Sequence, residues 1–361
     1  MVICRKRIFL FLNLIFWCFP VMGQHPELVK VGLIYPLSGA MSSFGEDIAK
    51  ALPLLERRFN TEQSKYRFKL ILEDGKFGQG SAAVTAAHKL IKVDGVKFMV
   101  VGSSGEVLQA APLAESTGTL LVAGFASHPA IRTAGDYIFR TYIDIDRGVQ
   151  QVAEDMIDRS YSQVAVITEL SSFTSAILDS LRSRLQERII FSDEYQLEEG
   201  DLKAIIAKSR AKKPDVYYLN ITTPASFITL LTQLRKNGEG QTVYTYYTPS
   251  LREVQEALGP AQKGLRYLDF PDVGDSSEDF KVFLNEFEEA QGSAPNALFN
   301  FRTNYNAIKV IYDAVLAVGP NSARARDFLY QYDRNSATGR LQFDSNGDVK
   351  SLNLTLKTCG G

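Results

Sequence analysis

Short apolar segments alternate with amphipathic ones along nearly the whole chain, and that alternation restricts the fold to parallel sheets covered by helices. Residues 29–34 read as a short buried strand. Residues 46–59 follow, with Ile48, Leu52, Leu55 and Phe59 on one helical face and Pro53 predicting a kink. Residues 68–72 form the next strand, and 81–91 a helix that turns Val84, Ala87, Leu90 and Ile91 to a core. Further strands at 97–101 and 119–123 enclose another helix.

The pattern then recurs. Strands at 163–168, 188–191, 216–219 and 242–247 alternate with helices at 175–185, 201–211 and 225–236. Beyond residue 268 come helices at 278–290 and 300–318, then strands at 339–344 and 352–357 joined by the turn Ser345-Asn346-Gly347-Asp348. Two successive doubly wound α/β halves account for 361 residues better than one core does. Ligands of such sheets sit beyond the carboxyl ends of the strands, so two halves facing each other make a cleft lined by the loops after the strands.

The first residues differ from the rest. Arg5, Lys6 and Arg7 precede an apolar run at 8–19, and Pro20 and a small-residue stretch lead to a cut before Gln24, so residues 1–23 read as a secretory signal peptide. Its loss would lower the formal charge from −1 to −4 and leave Cys359 as the sole cysteine, so no internal disulfide can form. No later segment is long and apolar enough to span a membrane. The near-neutral charge gives no reason to expect a nucleic-acid partner. His25, His88 and His128 are the only histidines and lack metal-ligand spacing; no nucleophile elbow or phosphate loop occurs, and residues 75–80 read as a turn. These absences point to a protein without cofactor, metal or catalytic centre.

The loops carry a resemblance. The segment 35–45, Tyr-Pro-Leu-Ser-Gly-Ala-Met-Ser-Ser-Phe-Gly, is similar to the N-terminal signature of the type I periplasmic binding proteins, in their leucine/isoleucine/valine-binding branch. Glu73-Asp74-Gly75, Val101-Gly102-Ser103-Ser104, Phe139-Arg140-Thr141, residues 305–314 and residues 339–344 match in the same order. The resemblance implies two lobes joined by three hinge strands, near 140–141, 268–272 and 336–339. It assigns residues 28–141 plus 272–336 to lobe 1 and 142–271 plus 337–361 to lobe 2.

It also implies a binding site. Ser104, with Ser103 and the Gly102 carbonyl beside it, takes the place of the serine that holds a ligand carboxylate. These serines open a helix, whose free N–H groups and dipole favour an anion, although serine there also serves simply as a cap. Ser127, after Phe125 and Ala126, takes the second carboxylate position. Phe44 and Phe173 fall where aromatic walls are expected, and either could instead be ordinary core. Ile221 and Thr222 line the same cleft by alignment. Where amino-acid binders place an acid for the ligand ammonium, this chain has Tyr247, which carries no charge near neutral pH. Either Asp144 or Asp146 substitutes, or the ligand has no ammonium.

The implied function is that of a monomeric periplasmic substrate-binding protein, not an enzyme, serving an importer with separate permease and ATPase subunits. It would close on a small carboxylate-bearing solute such as a branched-chain amino acid, an amide or an organic acid. The alternative is a ligand-sensing regulatory protein of the same fold.

Overall fold

The computed structural model describes residues 26–61, 65–77, 81–196, 202–270, 273–350, 352 and 354–359. The expected signal peptide lies outside the described residues, as do residues 78–80 of the glycine-rich stretch.

Lobe 1 begins with β1 (Glu27–Tyr35), α1 (Ser43–Phe59), β2 (Tyr66–Asp74), α2 (Ala82–His88), β3 (Phe98–Val101), α3 (Ser104–Thr117), β4 (Leu120–Ala123) and β5 (Ile138–Arg140). The five strands form one parallel sheet in the order β2-β1-β3-β4-β5. Every residue of β3 and β4 is buried, as expected of central strands covered on both faces. Ile48, Leu52, Leu55 and Phe59 of α1 are all buried, matching the periodicity in the sequence. In α2 the inward face is Ala83, Ala86 and Ala87, continued by Leu90 and Ile91 just beyond it, while Val84 is only half-buried. The helix runs on into a single wide turn at Lys89–Val93.

Lobe 2 holds α4 (Ile145–Asp158), β6 (Val164–Glu169), α5 (Ser172–Leu185), β7 (Ile189–Tyr195), α6 (Lys203–Ala211), β8 (Val216–Asn220), α7 (Pro224–Lys236), β9 (Thr242–Thr245), α8 (Arg252–Leu258) and β10 (Leu265–Asp269). The chain then returns to lobe 1 with α9 (Glu278–Gln291), α10 (Leu298–Val318) and α11 (Ser322–Leu329), which pack on α1 and on β3 and β4. A hairpin of β11 (Asp333–Ser336) and β12 (Gly339–Gln342) follows, and β13 (Thr355–Thr358) ends in the lobe 2 sheet.

That sheet has the order β13-β10-β9-β8-β6-β7 and is parallel except for β13, which runs against β10. The turn at 345–348 forms, with Gly347 at φ 75° and Phe343 facing Val349. The segments it joins nevertheless pair mainly elsewhere, β12 with β11 and β13 with β10.

The strand orders fix where the site must be. In lobe 1 the order reverses between β1 and β3, and in lobe 2 between β6 and β8. Loops leaving such adjacent strands diverge to opposite faces of the sheet and open a crevice between them.

Candidate functional site: an aromatic cleft between the lobes

The two crevices face each other. Together they enclose a cleft of about 520 Å³ of empty space, part of it open to solvent. From lobe 1 come Tyr35 at the end of β1 and Pro36 after it, Gly102 to Gly105 after β3, Phe125 after β4, and Met41, Phe44, Phe77 and Asn300. Ser172, Phe173, Thr222 and Tyr247 come from lobe 2.

The start of α3 forms the polar part of the wall. Ser103 caps the helix, accepting from the Glu106 N–H, while the Glu106 side chain accepts from the Ser103 N–H at 3.2 Å. This capping box orients the first turn toward the cleft. The Ser104 hydroxyl oxygen accepts from the backbone N–H groups of Ser127 and His128, at 3.0 and 3.3 Å. Both acceptor sites are thereby used, and its proton is left to donate. The Gly102 carbonyl accepts from the Phe125 N–H at 3.0 Å, tying the loops after β3 and β4 together. A methyl group on Gly102 would lie 2.7 Å from the Tyr35 ring, so only glycine lets these walls meet.

The remainder is aromatic. Phe44 and Phe125 stack with centroids 6.1 Å apart, and Phe299 meets Phe125 at 5.2 Å. Tyr247 reaches across from lobe 2 to within 4.6 Å of Phe299, 5.0 Å of Phe125 and 6.0 Å of Phe44. Phe173 joins at 6.0 Å from Tyr247. Rings from both lobes thus form one cluster, so the cleft is seen closed.

Among the described residues that line it, none is charged. Buried carboxyls stand behind it instead. Glu106 in lobe 1 is 3% exposed, and Glu169 at the end of β6 is 1% exposed. One oxygen of each, Oε1, has no hydrogen-bond partner. Burial pushes the Glu106 carboxyl up to about 7, against the pull of hydrogen bonds from the Ser103 backbone and side chain and with a further push from Asp74. Burial likewise drives the Tyr247 hydroxyl well above its ordinary range, so it stays neutral.

Among the residues singled out in the sequence, Phe44, Gly102, Ser103, Ser104, Phe125, Phe173, Thr222 and Tyr247 lie on the cleft wall. Ala126, Ser127 and Ile221 do not; each is 1% exposed and sits behind it. Ser127 gives its N–H to Ser104, and its own hydroxyl is buried without a partner. Asp144 is not free to take a ligand's ammonium. It caps α4, and its Oδ2 is held by Arg132 and Arg140 at 3.0 and 2.9 Å. Asp146 is exposed in the first turn of the same helix. Sequence reasoning missed Tyr35, Met41, Phe77, Asn300 and the supporting Phe299. The Asn300 and Asn304 pair, one helical turn apart in a helix otherwise rich in apolar residues, was the available signal: Asn300 donates to the Phe44 carbonyl and Asn304 accepts from the Tyr35 hydroxyl.

The family model described as periplasmic binding protein matches residues 28–354. The chain is 23% identical over 342 residues to a leucine-, isoleucine-, valine-, threonine- and alanine-binding protein of Pseudomonas aeruginosa, covering 91% of this chain and 89% of that one. A leucine-binding protein from Thermotoga maritima superposes with a TM-score of 0.79 at 20% identity, covering 91% of this chain and 98% of the other. A solute-binding protein of an ABC transporter from Rhodopseudomonas palustris, in complex with 3,4-dihydroxybenzoic acid, gives a TM-score of 0.80 at 19% identity, covering 92% and 93%.

Proposed function

The chain belongs to the periplasmic binding protein family, and from that premise we propose that it is the substrate-binding protein of an ABC importer, closing on a small carboxylate-bearing solute between its lobes. The observation that carries this reading is the cleft at two opposed switch points, with the start of α3 as its polar wall. The first-turn N–H groups of Ser104 and Gly105, the Ser104 hydroxyl and the helix dipole would hold the carboxylate. Phe44, Phe125, Phe173 and Tyr247 would enclose an apolar body, a branched-chain side chain or an aromatic ring. Relatives named for binding leucine, isoleucine and valine, and a neighbour complexed with an aromatic acid, support that range.

Binding would bring the lobes together about the crossings near residues 140–141 and 268–272 and the one between β12 and β13. The third crossing expected near 336–339 is instead the turn of the β11–β12 hairpin, whose Ala337 is held by Ser276, Arg302 and Asn306. A ligand favours closure only by touching both lobes, and Ser104 and Tyr247 are the polar groups best placed for that. Permease and ATPase would be separate proteins, and export would rest on cleavage of residues 1–23.

The test is a thermal-shift screen of the protein against amino acids, short amides and aromatic carboxylates. A ligand at a hundred times its dissociation constant adds about 2.7 kcal/mol of stability. The reading stands if a carboxylate-bearing solute raises the melting temperature and Tyr247→Ala removes the shift. It falls if only solutes without a carboxylate do so.

A further inference from the structure

We infer that Glu106 sets the charge selectivity of the cleft: as a neutral acid it lets the start of α3 hold an anionic carboxylate, as an ion it opposes one, and carboxylate binding therefore takes up a proton. The inference rests on the reading of the cleft as a carboxylate-binding site and deepens it. Glu106 acts through Ser103, as a positioning residue.

Ser103 lies on the cleft wall, and Glu106 is joined to it from behind by the capping box. The Glu106 Oε2 accepts from the Ser103 N–H at 3.2 Å, so one hydrogen bond separates the carboxyl from the wall. The other oxygen, Oε1, is buried without a partner. It meets an apolar floor: a methyl group on Gly75 would stand 2.2 Å from it and 3.0 Å from Ile34 Cγ2. Among the described residues no lysine or arginine pairs with Glu106. Buried carboxylates are ordinarily paired, because removing the charge from water is costly. The hinge follows that rule, with Asp144 and Asp348 each facing two arginines. Glu106 does not, and burial pushes it up to about 7.

The other groups around the start of α3 leave this role to Glu106. Asp74, at the end of β2, is pushed up by burial, but hydrogen bonds from Ser38, Leu37 and Lys76 outweigh that and hold it below the usual carboxylate range. Burial drives the Tyr35 hydroxyl, at the end of β1, well above its ordinary range, with a further push from Glu106. His128, whose N–H meets the Ser104 oxygen, is pushed below its ordinary value by burial. Arg132 and Arg140 beyond it are taken by Asp144 and Asp348. The neighbouring α2 contributes the buried Ala83, Ala86 and Ala87, and α5 brings Ser172 against Gly105. Of these groups, Glu106 is the one whose charge changes from pH 6.5 to 8.5. The described wall has no cationic side chain, so a bound carboxylate depends on the neutral donors and dipole of α3. An ionised Glu106 in the first turn satisfies that dipole from within and repels a second anion. At an effective dielectric of about 20, the two charges are coupled by about one pKa unit or more.

The experiment is calorimetric titration of the protein with L-leucine and with benzoate at pH 6.5 and 8.5, where both carboxylates stay ionised. Whichever binds should lose affinity by at least about fivefold across that span. At pH 7, titrations in PIPES and in Tris, which differ in heat of ionisation, should show uptake of roughly a third of a proton per ligand bound. Glu106→Gln keeps an acceptor for the Ser103 N–H and a neutral wall at every pH. Its affinity should stay level between the two pH values and its proton uptake should vanish. A flat wild-type profile, or the same slope and uptake in Glu106→Gln, overturns the role of Glu106 and leaves the carboxylate cleft standing. Loss of binding in Glu106→Gln at both pH values also overturns it, since the neutral side chain should bind at least as well. Binding of neither probe to the wild type overturns the inference and the cleft assignment together.

Discussion

Arg140 and Asp348, 208 residues apart in sequence, are joined by two hydrogen bonds of 2.5 and 2.7 Å. The pair is buried where the chain leaves the lobe 1 sheet, and Arg140 also reaches Asp144 at the start of α4 and the His128 carbonyl. One guanidinium therefore ties β5, the first helix of lobe 2 and the C-terminal turn into a single joint. Removing one partner leaves a buried charge uncompensated, which costs about 3–5 kcal/mol. Asp348→Ala is accordingly expected to lower the denaturant midpoint strongly. A midpoint within experimental error of wild type would show that Arg132 and Asp144 suffice to hold the joint.

Glu106 makes stability depend on pH. Its folded carboxyl titrates at about 7, against a reference value of 4.5. Below 4.5 both folded and unfolded chains hold the proton, and the full stability is present. Between the two values the unfolded chain releases it while the folded chain keeps it, so stability falls as pH rises and levels off above about 7. At 1.36 kcal/mol per unit, the loss is on the order of 3 kcal/mol. Urea melts of wild type and Glu106→Gln across pH 5–8 should diverge by that amount, the glutamine variant holding its stability at the alkaline end. Parallel curves would mean that Glu106 does not titrate in this range.

The fold was legible because its signals are local. Apolar runs such as 98–101 and the face of Ile48, Leu52, Leu55 and Phe59 are set by neighbours in sequence, and the strand–helix alternation fixes parallel sheets. The partner of β13 was not legible, since its antiparallel pairing with β10 joins residues far apart in the chain. The site divides the same way. Phe44 and Phe173 sit in the first turns of α1 and α5, at positions the resemblance assigns. Phe299, Asn300 and Tyr35 reach the cleft only through packing of α10 against β1 and α1, and their role is invisible until those elements meet. Asp144 looked available in sequence because the two arginines that occupy it could not be placed.

Gly102 is a place where a single methyl group should separate binding from folding. The Cβ of an alanine there would stand 2.7 Å from the Tyr35 ring, which borders the cleft and is held by Asn304. The ring is the part that can move. Gly102→Ala should cost about 1–3 kcal/mol of stability and leave a folded protein. Ligand affinity should fall at least tenfold as Tyr35 shifts into the cleft, read by calorimetry with whichever solute the thermal screen identifies. Undiminished affinity would show that the Tyr35 wall does not contact ligand.

Tyr247 latches the lobes as well as lining the cleft. Its ring is the lobe 2 member that meets Phe44, Phe125 and Phe299 of lobe 1, with centroids at 6.0, 5.0 and 4.6 Å. Each aromatic pair contributes about 0.5–1.5 kcal/mol beyond its buried area, so the three together are worth on the order of 3 kcal/mol for closure. That difference moves an open–closed equilibrium by roughly a hundredfold. Tyr247→Ala without ligand is therefore expected to populate open lobes and to raise the radius of gyration in small-angle scattering. Tyr247→Phe keeps the ring and should leave the profile of the wild type. If Tyr247→Ala scatters like wild type, closure is held by the backbone crossings and not by the cluster, and ligand contact with Tyr247 alone would not drive it.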